Sequence, residues 1–245
     1  MNQDAAGAAD INFYFDPVCP FAWMTSKWIR IVQGRRDYTV DWRFISLRLI
    51  NSHIDYDAHF PPAYEAMHDA GLRLHRMASA VREKHGREAM GPLYLAYGNQ
   101  NFETDTEESH EPGWQGTPER AAAALAAAGL PTSFAEYLDD TSRDAEIQAE
   151  SDEALSLTGK DVGTPIVHFQ PPEGVAFFGP VISRLPDEAQ AVELWDHVVG
   201  LANFPGFAEL KRSLRERPQL PYFGVVTGET GRTEDWHGGS RRLKK

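Results

Sequence analysis

The chain has 245 residues, 42% of them hydrophobic and 11% aromatic, enough for a substantial core and unlike a disordered composition. Its formal net charge of −12 argues against a nucleic-acid surface or an anionic membrane as partner and serves solubility. A single cysteine excludes an internal disulfide, zinc fingers and iron–sulfur clusters.

The opening "MNQDAAGAAD" has neither a basic n-region nor an apolar h-region, so a reducing cytoplasm is the expected setting. "INFYF" (11–15) has the β-branched and aromatic content of a buried strand. It runs into Asp16-Pro17-Val18-Cys19-Pro20, after which Phe21, Met24, Trp28, Ile31 and Val32 keep helical spacing as far as Gly34. "YTVDWRFISLRL" (38–49) alternates Val40, Trp42 and Phe44, which predicts a strand. The opening is therefore β-α-β, with the cysteine at the first strand-to-helix junction.

From about 52 to 158 the pattern is helical. Helices are expected over "PPAYEAMHDAGLRLHRMASAVREKHG" and "GPLYLAYGNQNF" (91–102), and a solvated acidic loop over "ETDTEESHEPGWQG" (103–116). Thr117-Pro118 offers a cap and first-turn proline for an alanine-rich helix to Leu130, whose run is too short to span a bilayer. Ser133 with Glu136 fits a capping box, and a last helix is expected over 142–157. Strands return at "TPIVHF" (164–169) and "GVAFFGPV" (174–181), linked tightly enough for an antiparallel hairpin. "DEAQAVELWDHVVGLANF" (187–204) carries Ala191, Leu194, Trp195, Val198 and Leu201 on one helical stripe. Beyond Pro218 the composition is that of a mobile tail or a surface strap.

This order predicts an α/β chain with a thioredoxin-like fold, interrupted by helices. The thioredoxin-like part comprises 1–51 and 159–217, the inserted helical subdomain 52–158, and the tail 218–245.

Cys19 falls at the first helical turn, followed by Pro20 as a natural first residue. The unpaired N–H groups and dipole of a helix N-terminus favour a thiolate, so a lowered pKa and raised nucleophilicity are expected. Asp16 opposes this by like-charge repulsion if its carboxylate turns inward. The alternative is an inert core cysteine. Against that stands "DVGTP" (161–165), which places Thr164-Pro165 as a candidate cis peptide in the loop that faces the cysteine of a thioredoxin fold. Tyr14, Phe21 and Trp23 either line an apolar substrate surface or pack in the core. His68, His75, His85 and His168 show no helical metal-site spacing; His168 is a proton carrier only if strand alternation turns it toward Cys19.

"FDPVCPFAW" (15–23), "SLRLIN" (46–51), "GPLYLAYGN" (91–99) and "DVGTPIVHF...VAFFGPVISRLP" (161–185) together resemble the DsbA-like mycothiol-dependent nitroreductase family. The resemblance spans about 11–212 and implies a DsbA-like or kappa-class glutathione transferase-like fold in a cytoplasmic thiol enzyme. It implies Cys19 as the nucleophile and Pro165 as the cis-proline. Pro20, Phe21, Ala22, Trp23 and Thr164 would border the substrate or thiol, with Tyr97 and Asn99 in a segment near the cleft. No tightly bound cofactor and no metal are expected; mycothiol or another low-molecular-weight thiol is the implied cosubstrate, acting with a small electrophilic or conjugated molecule. No membrane partner is implied, and nothing in the sequence fixes an oligomeric state.

Ala22 departs from the family, standing where a second cysteine would complete Cys-x-x-Cys. Three readings follow: a monothiol oxidoreductase whose mixed disulfide is resolved by a second small thiol, a redox-neutral cis–trans isomerase acting by reversible Cys19 addition, and a non-catalytic binding module.

Overall fold

Ile11–Phe15, five consecutive buried residues, form the strand β1 at the centre of the molecule. A computed structural model describes residues 9–159, 162–210, 212, 214–225 and 233–235. The helix α1 (Pro20–Gln33) follows, and the chain returns as β2 (Val40–Phe44), parallel to β1 with Phe13 opposite Trp42. After the helical block, β3 (Ile166–Phe169) pairs antiparallel to β1, with Phe13 opposite Val167, and β4 (Ala176–Phe178) pairs antiparallel to β3. The sheet order is β2-β1-β3-β4. With the β-α-β entry and the antiparallel exit, this is the expected α/β thioredoxin-like fold with a helical insertion.

Between β2 and β3 the chain forms α2 (Leu47–Ile50), α3 (Tyr56–His59), α4 (Tyr64–His85), α5 (Met90–Phe102), α6 (Pro118–Ala127) and α7 (Asp144–Thr158). Alternation along β1 divides the core. Phe13 and Phe15 join one large apolar cluster with α1, α4 and α5; Tyr14 joins a smaller one with Ile45, Ala154 and Ile166. The last helix, α8 (Glu188–Ala202), packs on α1, where Trp28 donates its Nε1–H to the Ala191 carbonyl at 2.9 Å. Its start carries a capping box between Asp187 and Gln190 that the sequence reading did not anticipate.

Several boundaries differ from expectation, each for a local reason. The strand expected to reach Leu49 ends at Phe44, because Ser46 caps α2 through the Leu49 N–H. The acidic segment 103–116 forms two 3₁₀ turns instead of an open loop. Trp114 anchors it, buried with the Arg120 guanidinium 3.7 Å from its ring centre. The alanine-rich helix stops at Ala127 rather than Leu130, ahead of Gly129 at φ +72°. No capping box forms at Ser133, because Pro131 takes the cap position of a 3₁₀ segment over Thr132–Asp139. On the α8 stripe Ala191 and Trp195 are buried, whereas Leu201 stays exposed.

After α8, β5 (Leu214–Glu216) pairs antiparallel with β6 (Thr233–Asp235), and Pro221–Phe223 forms a 3₁₀ turn. Within 218–225, Leu220 is fully buried, and the Tyr222 ring meets Phe102 and Trp114. Asp161, the first eight residues, and tail positions 226–232 and 236–245 lie outside the described residues.

Candidate functional site

The end of β1 turns sharply into α1. The Cys19 N–H donates to the Asp16 carbonyl at 3.0 Å, closing the turn Asp16-Pro17-Val18-Cys19. The Asp16 carboxylate holds that turn from inside: Oδ1 accepts from the Val18 N–H at 3.0 Å and Oδ2 from the Leu47 N–H at 2.7 Å. Gly71 on α4 leaves room for it, since a Cβ there would stand 2.6 Å from Oδ1. From α5, Asn101 donates Nδ2–H to the Pro17 carbonyl at 3.1 Å. Sequence reasoning missed Asn101; its neighbours Tyr97 and Asn99 belong to the family-like segment, but nothing local marks which amide turns inward.

Cys19 is itself the N-cap of α1, one position before the expected first turn, with Pro20 at the first helical position. Sγ accepts from the Ala22 N–H at 3.4 Å and donates to the Thr164 carbonyl at 3.5 Å. The Thr164–Pro165 peptide is cis. Thr164 is tied to β1 by its hydroxyl, which donates to the Tyr14 carbonyl at 3.0 Å. Of the expected site residues, Pro165 follows Thr164 across the cis peptide, Pro20 and Phe21 adjoin Cys19 in the chain, and Ala22 and Thr164 meet its sulfur through their backbones. Trp23 lies behind it, buried, with Nε1–H donating to Glu103 at 2.7 Å and its ring stacked on Phe102 at 6.5 Å.

The expected lowering of the thiol pKa is overturned. Burial pushes the Cys19 thiol up to about 12, the Ala22 N–H pulls the other way, and the Asp16 charge adds to the rise. The hydrogen bonds fit that result. A thiol satisfies both the Ala22 donor and the Thr164 acceptor, whereas a thiolate would face the Thr164 carbonyl with no proton to share. Burial likewise pushes Asp16 up to about 7 despite its two backbone donors. No ion pair to Asp16 forms among the described residues.

Other expected residues lie elsewhere. Tyr14 faces the opposite side of the sheet and donates its hydroxyl to Glu153 at 3.0 Å. His168 pairs with Asn12 on β1 and shares that opposite face with Tyr14, so alternation removes it as a proton carrier for Cys19. Tyr97 is buried with its hydroxyl on the Leu74 carbonyl, and Asn99 is exposed. Burial lowers His75 to about 3 and His68 to about 4, keeping both neutral at pH 7. Among the described residues no group of three or more His, Cys, Asp or Glu is placed to hold a metal, and no helix is long and apolar enough to cross a membrane.

The chain is 30% identical over 203 residues to the uncharacterized protein Rv2286c of Mycobacterium tuberculosis, covering 82% of this chain and 81% of that protein. Among solved structures, a 2-hydroxychromene-2-carboxylate isomerase aligns with a TM-score of 0.48 at 15% identity, over 78% of this chain and 95% of that one. The DsbA of Chlamydia trachomatis aligns with a TM-score of 0.47 at 10% identity, over 78% and 89%. The family described as Rv2466c-like, mycothiol-dependent nitroreductase Rv2466c, matches residues 18–212, a stretch that runs from Val18, beside Cys19, through α1, β2, β3 and β4 to just beyond α8 and leaves out β1. The chain belongs to that family, as a member whose sequence holds a single cysteine, Cys19.

Proposed function

We propose that the chain is a cytoplasmic monothiol oxidoreductase, with Cys19 as its nucleophile and a low-molecular-weight thiol, mycothiol by family, as cosubstrate. One observation carries this reading: Sγ caps α1 and faces the carbonyl that precedes cis-Pro165, while Ala22 fills the place of a resolving thiol. Cys19 attacks the small-thiol sulfur of a mixed disulfide on an electrophilic substrate. One S–S bond forms and one breaks, and the substrate leaves as a thiol carrying the Cys19 proton. A second small thiol then attacks the new disulfide, releasing the small-thiol disulfide and returning the proton to Cys19. Two electrons pass from small thiol to substrate, and no second protein cysteine is required. Pro20 and Phe21 on one side, and Thr164 and Pro165 on the other, are the residues that would border the docked molecule.

Ala22 also favours a second reading. With no neighbouring thiol to divert it, Cys19 adds to a conjugated double bond, the single bond rotates, and elimination returns the other isomer. Intact mass after incubation with mycothiol disulfide, or with a conjugated enone, separates the two. The first reading predicts one mycothiol adduct, removed by free mycothiol and absent in Cys19→Ser. A reversible enone adduct with isomerised product and no mycothiol adduct supports the second, and no adduct with either overturns both.

A further inference from the structure

The turn that delivers Cys19 to α1 hangs on one peptide unit. Pro17 and Val18 are its central residues, and the Cys19 N–H closes it on the Asp16 carbonyl at 3.0 Å. The peptide that joins them is held at both edges. Its carbonyl, that of Pro17, accepts the Asn101 Nδ2–H at 3.1 Å, and its N–H, that of Val18, donates to Asp16 Oδ1 at 3.0 Å. The proline ring fixes φ of Pro17, which leaves ψ of Pro17 and φ of Val18 to set the turn, and both rotate this plane. Asp16 belongs to the turn it braces. Asn101 reaches the turn from α5, 84 residues along the chain, with 2% of its surface exposed.

Asn101 is itself held in place beside α1. Gly98 leaves no room for a Cβ next to the Trp23 indole, so the ring lies against the α5 backbone. Phe102 stacks on the same ring at 6.5 Å, and Glu103 accepts the indole Nε1–H at 2.7 Å and the Lys27 ammonium at 2.6 Å. Trp23 in turn donates its backbone N–H to the Cys19 carbonyl at 3.0 Å. The last turn of α5 therefore grips the chain on both sides of Cys19, at Pro17 before it and at Trp23 after it.

We propose that Asn101 is a positioning residue for Cys19: it holds the Pro17–Val18 peptide and, through that peptide, the direction in which Sγ meets the Ala22 N–H and the Thr164 carbonyl. This rests on the reading of Cys19 as the nucleophile. Attack on a disulfide needs the incoming sulfur in line with the bond that breaks, so a thiol whose turn can swing loses rate. A helix from between β2 and β3 thereby contributes to the reactivity of a cysteine that it does not carry.

Asn101→Leu keeps the size of the side chain and removes its donor. Asn101→Ala removes the donor and leaves space for water, which keeps the test open if the leucine variant fails to fold. Capture of mycothiol disulfide by Cys19 is followed by intact mass, and amide hydrogen exchange by NMR, in the same folded chains. Capture should slow by roughly tenfold in each variant. The Val18 and Ala22 amides should exchange roughly tenfold faster, with the amides of β1 and of the middle of α1 unchanged. Capture at the parent rate in a folded variant overturns the proposal. So does slower capture without a selective change at Val18 and Ala22, which marks a merely structural role. No adduct on the parent chain, with Cys19 fully alkylated in guanidinium, would instead remove the nucleophile reading, and the positioning role with it.

Discussion

Two buried polar regions flank the same sheet and are built on opposite electrostatic plans. On the side covered by α7, Glu150 and Arg82 are both 7% exposed and each is matched by opposite charge. Arg82 donates to both Glu150 oxygens at 2.9 and 3.0 Å and to Glu146 at 2.6 Å, while Arg43 donates to Glu153 at 2.7 Å. Glu150 also takes the Phe44 N–H of β2 at 2.8 Å, so the network fixes α7 to the sheet. At the Cys19 end, Asp16 has 0% exposure and is held by backbone donors alone. A buried charge is tolerated when it is paired; left unpaired, it takes up a proton instead. The first region is therefore scaffolding whose charges are matched by one another. The second is a coupled carboxyl and thiol whose charge depends on pH and on water reaching the cleft.

Removing one partner from each region tests that contrast. Arg82→Ala strips Glu150 of its bidentate partner and is expected to cost about 3 kcal/mol in urea denaturation, since Arg43 and Arg87, each 3.5 Å from Glu150, offset only part of the loss. A cost below about 1 kcal/mol would make the network equivalent to surface ion pairs and erase the distinction.

Asp16→Asn should act on the pH profile. The folded Asp16 pKa is raised from 3.8 to about 7, so the folded chain binds its proton more tightly than the unfolded one. The stability this supplies is fully present below about pH 4 and is lost as pH rises through about 7. Each tenfold difference in proton affinity between the folded and unfolded chains is worth about 1.4 kcal/mol, so the parent should lose on the order of a few kcal/mol between about pH 4 and 8 from this group. Asp16→Asn should flatten that slope, whatever constant offset its altered hydrogen bonds introduce. Parallel profiles for parent and variant would mean that Asp16 is ionised throughout.

Much of the fold was legible because it is written in local patterns. The buried run "INFYF", the helical spacing after Pro20 and the turn between 169 and 176 each dictate an element without reference to the rest of the chain. The cysteine at a helix start and the Thr164-Pro165 pair were readable for the same reason, as residue types whose backbone constraints act on their immediate neighbours. What was hidden depends on burial by distant segments. Nothing in "HEPGWQG" shows that Trp114 will be covered by Tyr222 more than a hundred residues later. Nothing near Asn101 shows that its amide will meet Pro17. The direction in which the thiol pKa moves was hidden in the same way: the helix end is local and visible, whereas the desolvation that outweighs it comes from elements spread along the whole chain.

The central claim is that the fold keeps Cys19 as a neutral, hydrogen-bonded thiol until its cleft is opened. The pH dependence of Cys19 alkylation by iodoacetamide in the folded chain tests this most directly. A midpoint above the ordinary thiol value of about 8.5 is predicted, moving down in Asp16→Asn as the neighbouring charge is removed. A midpoint below about 8.5 in the parent chain would contradict the account, because the helix N-terminus would then outweigh burial and Cys19 would rest as a thiolate.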